Sequence, residues 1–273
     1  MRRLPRNDPP FQSGHGGVFE YAQLLSIPVV QTEMNCDGIL STMGRRFVIQ
    51  VRRSSPIMRK SFTVCHEIGH AEILRSADIW SIEQKFYTMD LLGRNREEEE
   101  LSNLFAAELL MPRRVFTALA KNLSPGLDSL RKLAGSFATS LCATAFRITK
   151  LNLWQCIMVW SVPQVYVGGR LGLHILRSAR PQDLDNPFRW PDYEGQVIID
   201  HDKIHRALTQ EGYTDFEIRL RDQQDQVSLW RLESVPSSVR DKPCVLTVMT
   251  QKRGTDFPST PFSQKMRSGP LHI

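Results

Sequence analysis

Two histidines four residues apart, His66 and His70, flank Glu67 in the stretch SFTVCHEIGHAEIL. On an α-helix, residues i and i+4 lie on one face, one turn apart, so both imidazoles can reach a single cation. Glu67 lies one residue beyond His66, close enough to reach a water at that cation without joining the ligands. The chemistry that needs this division of labour is metal-assisted hydrolysis. Neutral imidazole nitrogens hold Zn2+, the metal lowers the pKa of a water towards neutrality, and the carboxylate takes the proton as the water attacks a carbonyl carbon. The same spacing also arises on exposed helix faces. Here Val64, Cys65, Ile68, Ala71 and Leu74 supply apolar contacts around the helix, which predicts a central rather than a peripheral one. Gly69 costs a helix about 1 kcal/mol against alanine. It makes sense where another backbone or a substrate must come close.

A catalytic zinc takes three protein ligands and keeps one position open. The longer pattern with Gly at 73 and His at 76 is excluded, because those residues are Ile73 and Ser76, and no further histidine follows until His174. The third ligand is therefore expected to be a carboxylate, and the supply is Glu97-Glu98-Glu99-Glu100. For any one of these, a solvated first helical turn favoured by the helix dipole is the competing reading. Glu97 and Glu100 share a broad face with Leu101, Leu104, Phe105 and Glu108. Glu99 lines up with Asn103, Ala106 and Leu110, on a face whose smaller residues would let two helices approach closely. Periodicity does not choose among the four. Ligation predicts donor atoms roughly 3–3.5 Å apart.

The elements that must position these residues follow from patterning. Residues 1–16 are rich in Arg, Pro and Gly and are expected to form a flexible arm. Val18, Tyr21, Ala22, Leu24 and Leu25 recur at helical spacing. Ile27–Val30 and Phe47–Val51 read as strands, with Asp37-Gly38 as a turn between them. Helices are expected over about 61–75, over about 96–110 with a stop at Pro112, and over 127–151, the last broken into two or more pieces. Beyond residue 152 short β-like runs dominate: Trp154–Trp160, Gln196–Ile199, Phe216–Leu220, Val227–Leu232 and Val245–Met249, with one short helix near Ile204–Leu208. Residues 253–273 read as a tail.

Composition bounds the class. Apolar residues make up 41% and charged residues 23% of the chain, ordinary for a globular protein and against disorder or a fibrous repeat. The longest apolar runs are far too short to span a bilayer, and no apolar segment follows the basic start, so neither a membrane partner nor a secretory signal is expected. Five scattered cysteines without a CxxC pair suit free thiols in a reducing compartment, with the cytoplasm as the default. The net charge of +6 permits an acidic or nucleic-acid partner without demanding one.

The two chemistry-bearing stretches, RKSFTVCHEIGHAEIL and EEELSNLFAAELLMP, resemble the ImmA/IrrE family of metallopeptidases. The matching residues are Phe62-Thr63, His66-Glu67, Gly69-His70, Glu99, Asn103, Phe105-Ala106 and Leu109-Leu110-Met111-Pro112. Asp37-Gly38 and the Phe47–Val51 strand are similar to the family's entry into the catalytic helix. The likeness covers roughly residues 17–150. It implies that His66, His70 and Glu99 ligate the metal and that Glu67 is the catalytic base. The expected metal is Zn2+, with Mn2+ and Fe2+ as alternatives. Cys65 and Ser102 stand where the family usually has alanine, and neither change removes a ligand.

The implied fold class is α+β. A zincin-like metallopeptidase domain (17–151) with a helical extension is followed by a β-rich accessory domain (152–252) for sensing or substrate recognition. The implied activity is that of a zinc-dependent endopeptidase of narrow specificity, whose protein substrate is a helix-turn-helix transcriptional repressor. The alternative is a non-proteolytic regulatory or antitoxin-type module that binds a repressor or DNA and holds a structural metal. Residues 127–151 themselves resemble a helix-turn-helix, with Thr139-Ser140 as a cap. Thr144, Arg147 and Lys150 would be the reading side chains, a thin basic set that favours packing or repressor docking over direct DNA binding. His15, His174, His201, His205 and Tyr87 receive no role. Trp160, Trp190 and Trp230 read as core or strand residues.

Overall fold

The computed structural model describes residues 16–44, 46–76, 96–165, 171–181, 197–199, 214–221, 227–239 and 242–251. The expected arm, the tail, the helix near residues 204–208, Trp190, Tyr87, His15, His201 and His205 lie outside those residues.

Phe47, Ile49 and Val51 alternate with less buried neighbours along β3 (Arg46–Arg52), the period of a strand with one face on a core. That strand is the centre of a three-stranded sheet of order β1-β3-β2. β1 (Val29–Thr32) runs parallel to it, with Val29 beside Ile49. β2 (Gly38–Met43) runs antiparallel, with Gly38 beside Val51 and Leu40 beside Ile49. The Asp37-Gly38 turn is where the chain enters β2, a strand that sequence patterning does not announce. Ahead of the sheet lies α1 (Gly16–Leu24). Val18 and Ala22 are buried as the spacing predicts, but Leu24 is 77% exposed and drops out of the expected stripe.

The long helix α2 (Ile57–Ser76) packs across β2 and β3 and against α1. It begins four residues before the expected start, a first turn that the apolar stripe does not reveal because Ile57 and Met58 in it are exposed. α3 (Arg96–Leu110) packs along α2. α4 (Arg113–Lys121) follows directly after Pro112, too short to be distinguished by pattern, burying Phe116 and Ala120 one turn apart. The expected broken helix is α5 (Leu127–Phe137) and α6 (Leu141–Lys150). Ala138 closes α5 in the left-handed conformation, and the Ser140 side chain accepts the Ala143 N–H at 3.1 Å to cap α6.

A six-stranded antiparallel sheet follows, of order β6-β5-β4-β9-β8-β7. Its strands are β4 (Cys156–Val165), β5 (Leu171–Ala179), β6 (Val197–Ile199), β7 (Thr214–Arg221), β8 (Val227–Val239) and β9 (Lys242–Gln251). In the central strands burial is continuous over Cys156–Ser161 and Cys244–Met249. This is the signature of strands covered on both faces. Trp160 and Trp230 are fully buried, as read from sequence. One hydrophobic core runs from Val18 through the helices to Leu246 and Val248. Among the described residues no helix is long and apolar enough to cross a membrane.

Candidate metal centre

Helix α2 is buried almost all round over its middle: Ser61, Thr63, Val64, Cys65, Glu67, Ile68, Gly69, His70 and Ala71 lie inside. Two neighbours make that possible. On one side is Gly38 at the start of β2. A Cβ there would overlap the Thr63 methyl and come within 3.7 Å of Glu67 Cγ. On the other side is α3, which buries Ser102, Ala106, Leu109 and Leu110 at helical spacing. A Cβ on Gly69 would lie 3.0 Å from Ser102 Cα and 3.3 Å from Phe105 Cβ. The helices therefore cross where both side chains are smallest, the close approach that Gly69 hinted at.

This crossing brings the first turn of α3 over the two histidines. His66 Nε2 and His70 Nε2 lie 3.0 Å apart. Glu99 reaches both, with Oε2 at 3.4 Å from His66 Nε2 and Oε1 at 3.3 Å from His70 Nε2. All three donor atoms fall within 4.8 Å of one another. The side chain of His70 is 0% exposed, that of His66 12% and that of Glu99 35%, so the cluster opens on the side of His66 and Glu99.

The four-glutamate run divides by burial. Glu97 and Glu100 are exposed, and Glu100 pairs with Arg96 at 3.1 Å. Glu98 and Glu99 are half-buried, on opposite sides of the His70 ring. Glu98 Oε1 lies 3.0 Å from His70 Nδ1, a contact that patterning missed because it weighs each glutamate of the run only as a ligand or as part of a solvated first turn. A signal for it was present, since i and i+1 on α3 can address the two nitrogens of one ring.

The donor set fits a divalent transition metal. An ionised carboxylate only accepts hydrogen bonds, so a His70 ring that gives its proton to Glu98 from Nδ1 keeps a lone pair on Nε2. That lone pair, the His66 Nε2 and a carboxylate oxygen converge, which is the nitrogen and oxygen set that zinc prefers. Glu67 is 2% exposed, beneath the entry to β2 and outside this trio. His174 lies on β5 in the other sheet, away from the cluster. Cys65 is fully buried and burial alone pushes its thiol far up, so it is an inert core residue.

Asp37 fastens the turn before Gly38 to α2. It accepts from Arg52 at 2.8 Å and from Arg59 Nε at 3.1 Å, with a second, shorter bond from the Arg59 guanidinium. Burial works to raise the Asp37 pKa, but the hydrogen bonds and charges of Arg59 and Arg52 outweigh it and hold the carboxyl below its ordinary value.

In the helix-turn-helix-like segment, Thr144 is buried and bonded to Thr139 at 2.9 Å. Arg147 is also buried. It donates to the Met111 carbonyl at 3.1 and 2.8 Å and pairs with Glu108, tying α6 to the end of α3. Of the three side chains considered for base reading, only Lys150 faces solvent.

Residues 31–149 match the family of IrrE N-terminal-like domains, Peptidase M78. Over 105 residues the chain is 30% identical to the radiation response metalloprotease IrrE of Deinococcus radiodurans. That stretch is 38% of this chain and 31% of IrrE, so the chain spans about a third of that relative's length. Among solved structures, a Mycobacterium tuberculosis transcriptional regulator has a similar fold, with a TM-score of 0.51 at 14% identity, covering 87% of this chain and 80% of the other.

Proposed function

From the match of residues 31–149 to the IrrE N-terminal-like domain family, we propose that the chain is an ImmA/IrrE-type zinc-dependent endopeptidase of narrow specificity acting in the cytoplasm. The observation that carries this reading is the convergence of His66 Nε2, His70 Nε2 and a Glu99 carboxylate oxygen, 3.0 to 3.4 Å apart, beside the buried Glu67. A divalent cation held there supplies Lewis acidity, polarising the scissile carbonyl and making the attacking water acidic at neutral pH. His66, His70 and Glu99 hold that cation. Glu67 takes the proton of the attacking water on its carboxylate and delivers it to the departing amide nitrogen. Gly38, at the start of β2, borders the Glu67 stem from the sheet side, since a Cβ there would lie 3.7 Å from Glu67 Cγ.

In this reading the peptidase unit is zincin-like, and residues 152–252 form an accessory unit that senses a signal or holds the substrate. The substrate is a helix-turn-helix transcriptional repressor. Recruitment runs through protein contact rather than DNA reading, which the inward-facing Thr144 and Arg147 support.

The test pairs metal analysis of the purified chain with cleavage of candidate repressors by wild type and Glu67→Gln. One equivalent of metal in both proteins is expected, with cleavage by the variant slower by a factor of about 100 or more. Glu67→Gln cleaving at the wild-type rate sinks the assignment of the base. Stable, chelator-insensitive partner binding with no cleavage would instead favour a binding module.

A further inference from the structure

The acidic run that begins α3 does two different jobs at one imidazole. Glu99 Oε1 approaches His70 from the Nε2 side at 3.3 Å, and Glu98 Oε1 meets Nδ1 at 3.0 Å. The His70 ring between them is completely shielded from solvent. A neutral imidazole carries one N–H, and a carboxylate can only accept it. Given to Glu98, the closer of the two carboxylates, that proton would sit on Nδ1 and leave Nε2 with a lone pair towards His66 Nε2, 3.0 Å away. Its plane is also pinned, because rotation about the ring axis would break the bond to Glu98. A carboxylate on the outer nitrogen makes the inner nitrogen a stronger donor to a cation.

We propose that Glu98 is a positioning residue of the metal centre: its carboxylate accepts the His70 Nδ1–H, sets that ring's tautomer and aims the Nε2 lone pair at the point shared with His66 and Glu99. The inference rests on the metal-site reading above and adds to it a residue outside the ligand set. Glu98 is an orienting group and not a fourth ligand, since its oxygen lies on the nitrogen that faces away from the cluster.

Two measurements on the full chain test it. The first is the His70 tautomer in metal-free protein, read from long-range proton–nitrogen correlation spectra. Wild type is expected in the Nδ1–H form, and Glu98→Ala should shift to a mixture or to the Nε2–H form. Glu98→Gln, whose amide oxygen still accepts, should keep the wild-type tautomer. The second is Co2+ affinity by chelator competition, followed by the visible absorption of the bound ion. Glu98→Ala is expected to weaken binding about 10- to 100-fold. Glu98→Gln should fall between wild type and Glu98→Ala, and it reports alone if the alanine variant does not fold.

A role confined to tying α3 to α2 would lower thermal stability without moving the tautomer or the Co2+ affinity of the folded protein. Wild type in the Nε2–H form overturns the proposal outright. So does Co2+ affinity in both variants equal to that of a wild type that binds one equivalent, and in that case the metal-site reading survives. A wild type that binds no Co2+ overturns both.

Discussion

Asp37 shows how a single side chain near the site makes a pH-dependent contribution. Its carboxylate joins the turn ahead of β2 to the end of β3 through Arg52 and to the first turn of α2 through Arg59. Because its folded pKa lies below the ordinary value of 3.8, its stabilisation is fully present above that pH and is lost as pH falls through the depressed value. The group is about one-third exposed, so solvent screening limits the effect to about 1 kcal/mol. Asp37→Asn is therefore expected to lower unfolding stability by that amount at pH 7 and to converge with wild type in urea titrations carried out in acid below the depressed Asp37 pKa. An equal gap at both pH values would show that the lost contacts are not charge-dependent. At this scale the sequence was informative about type and silent about partner. His66, Glu67 and His70 were legible because their spacing is a property of one helix. The separate stations of Glu98 and Glu99 depend on how a second helix is rotated, which no periodicity reports.

The crossing of α2 and α3 is the element-scale feature on which the cluster depends. Gly69 faces the Ser102 backbone, and a methyl there must displace α3 rather than a flexible side-chain end. Alanine would gain about 1 kcal/mol of helix propensity, while overpacking costs about 1–3 kcal/mol. Gly69→Ala is thus expected to lose about 1 kcal/mol net in denaturant unfolding and to weaken metal binding, because α3 carries Glu99 outward with it. Unchanged metal affinity with increased stability would refute the tight-crossing argument. Long elements with strong periodicity, α2, α3 and β3, were legible in the sequence. β2 and β5 were not, since neither shows a clean alternation of buried and exposed types. α4 was hidden because nine residues after a proline offer only two buried positions, Phe116 and Ala120.

At the scale of the whole molecule, the second sheet is joined to the helices through buried polar contacts as well as apolar core. Trp154 Nε1 donates to the Ala120 carbonyl at 3.1 Å, and the Phe146 ring stacks on Trp160 at 4.4 Å between centroids. Arg177 lies 4.1 Å over the Phe146 ring. Glu233 on β8, only 3% exposed, accepts the Leu127 N–H at 3.4 Å, so a carboxylate from the sheet sits at the positive end of α5. The absence of a side chain on Gly126 makes room for it, since a Cβ there would lie 2.8 Å from Glu233 Oε2. Glu233→Ala is expected to cost about 1–3 kcal/mol by leaving buried donors unmatched. Amide exchange should accelerate first at Leu127 and its neighbours in α5, and uniform acceleration across the chain would argue against a local seam.

The sequence by itself determined the HExxH spacing, the pair of histidines on one face of α2 and the change from helices to strands near residue 152, because each is written in spacing along one segment. Only the tertiary structure decided that Glu99 faces both histidines, that Glu98 meets the far nitrogen of His70, and that Thr144 and Arg147 turn inward. Those outcomes depend on the relative rotation of packed helices, a quantity set by the volumes of Gly69, Ser102 and their neighbours acting together across distant parts of the chain.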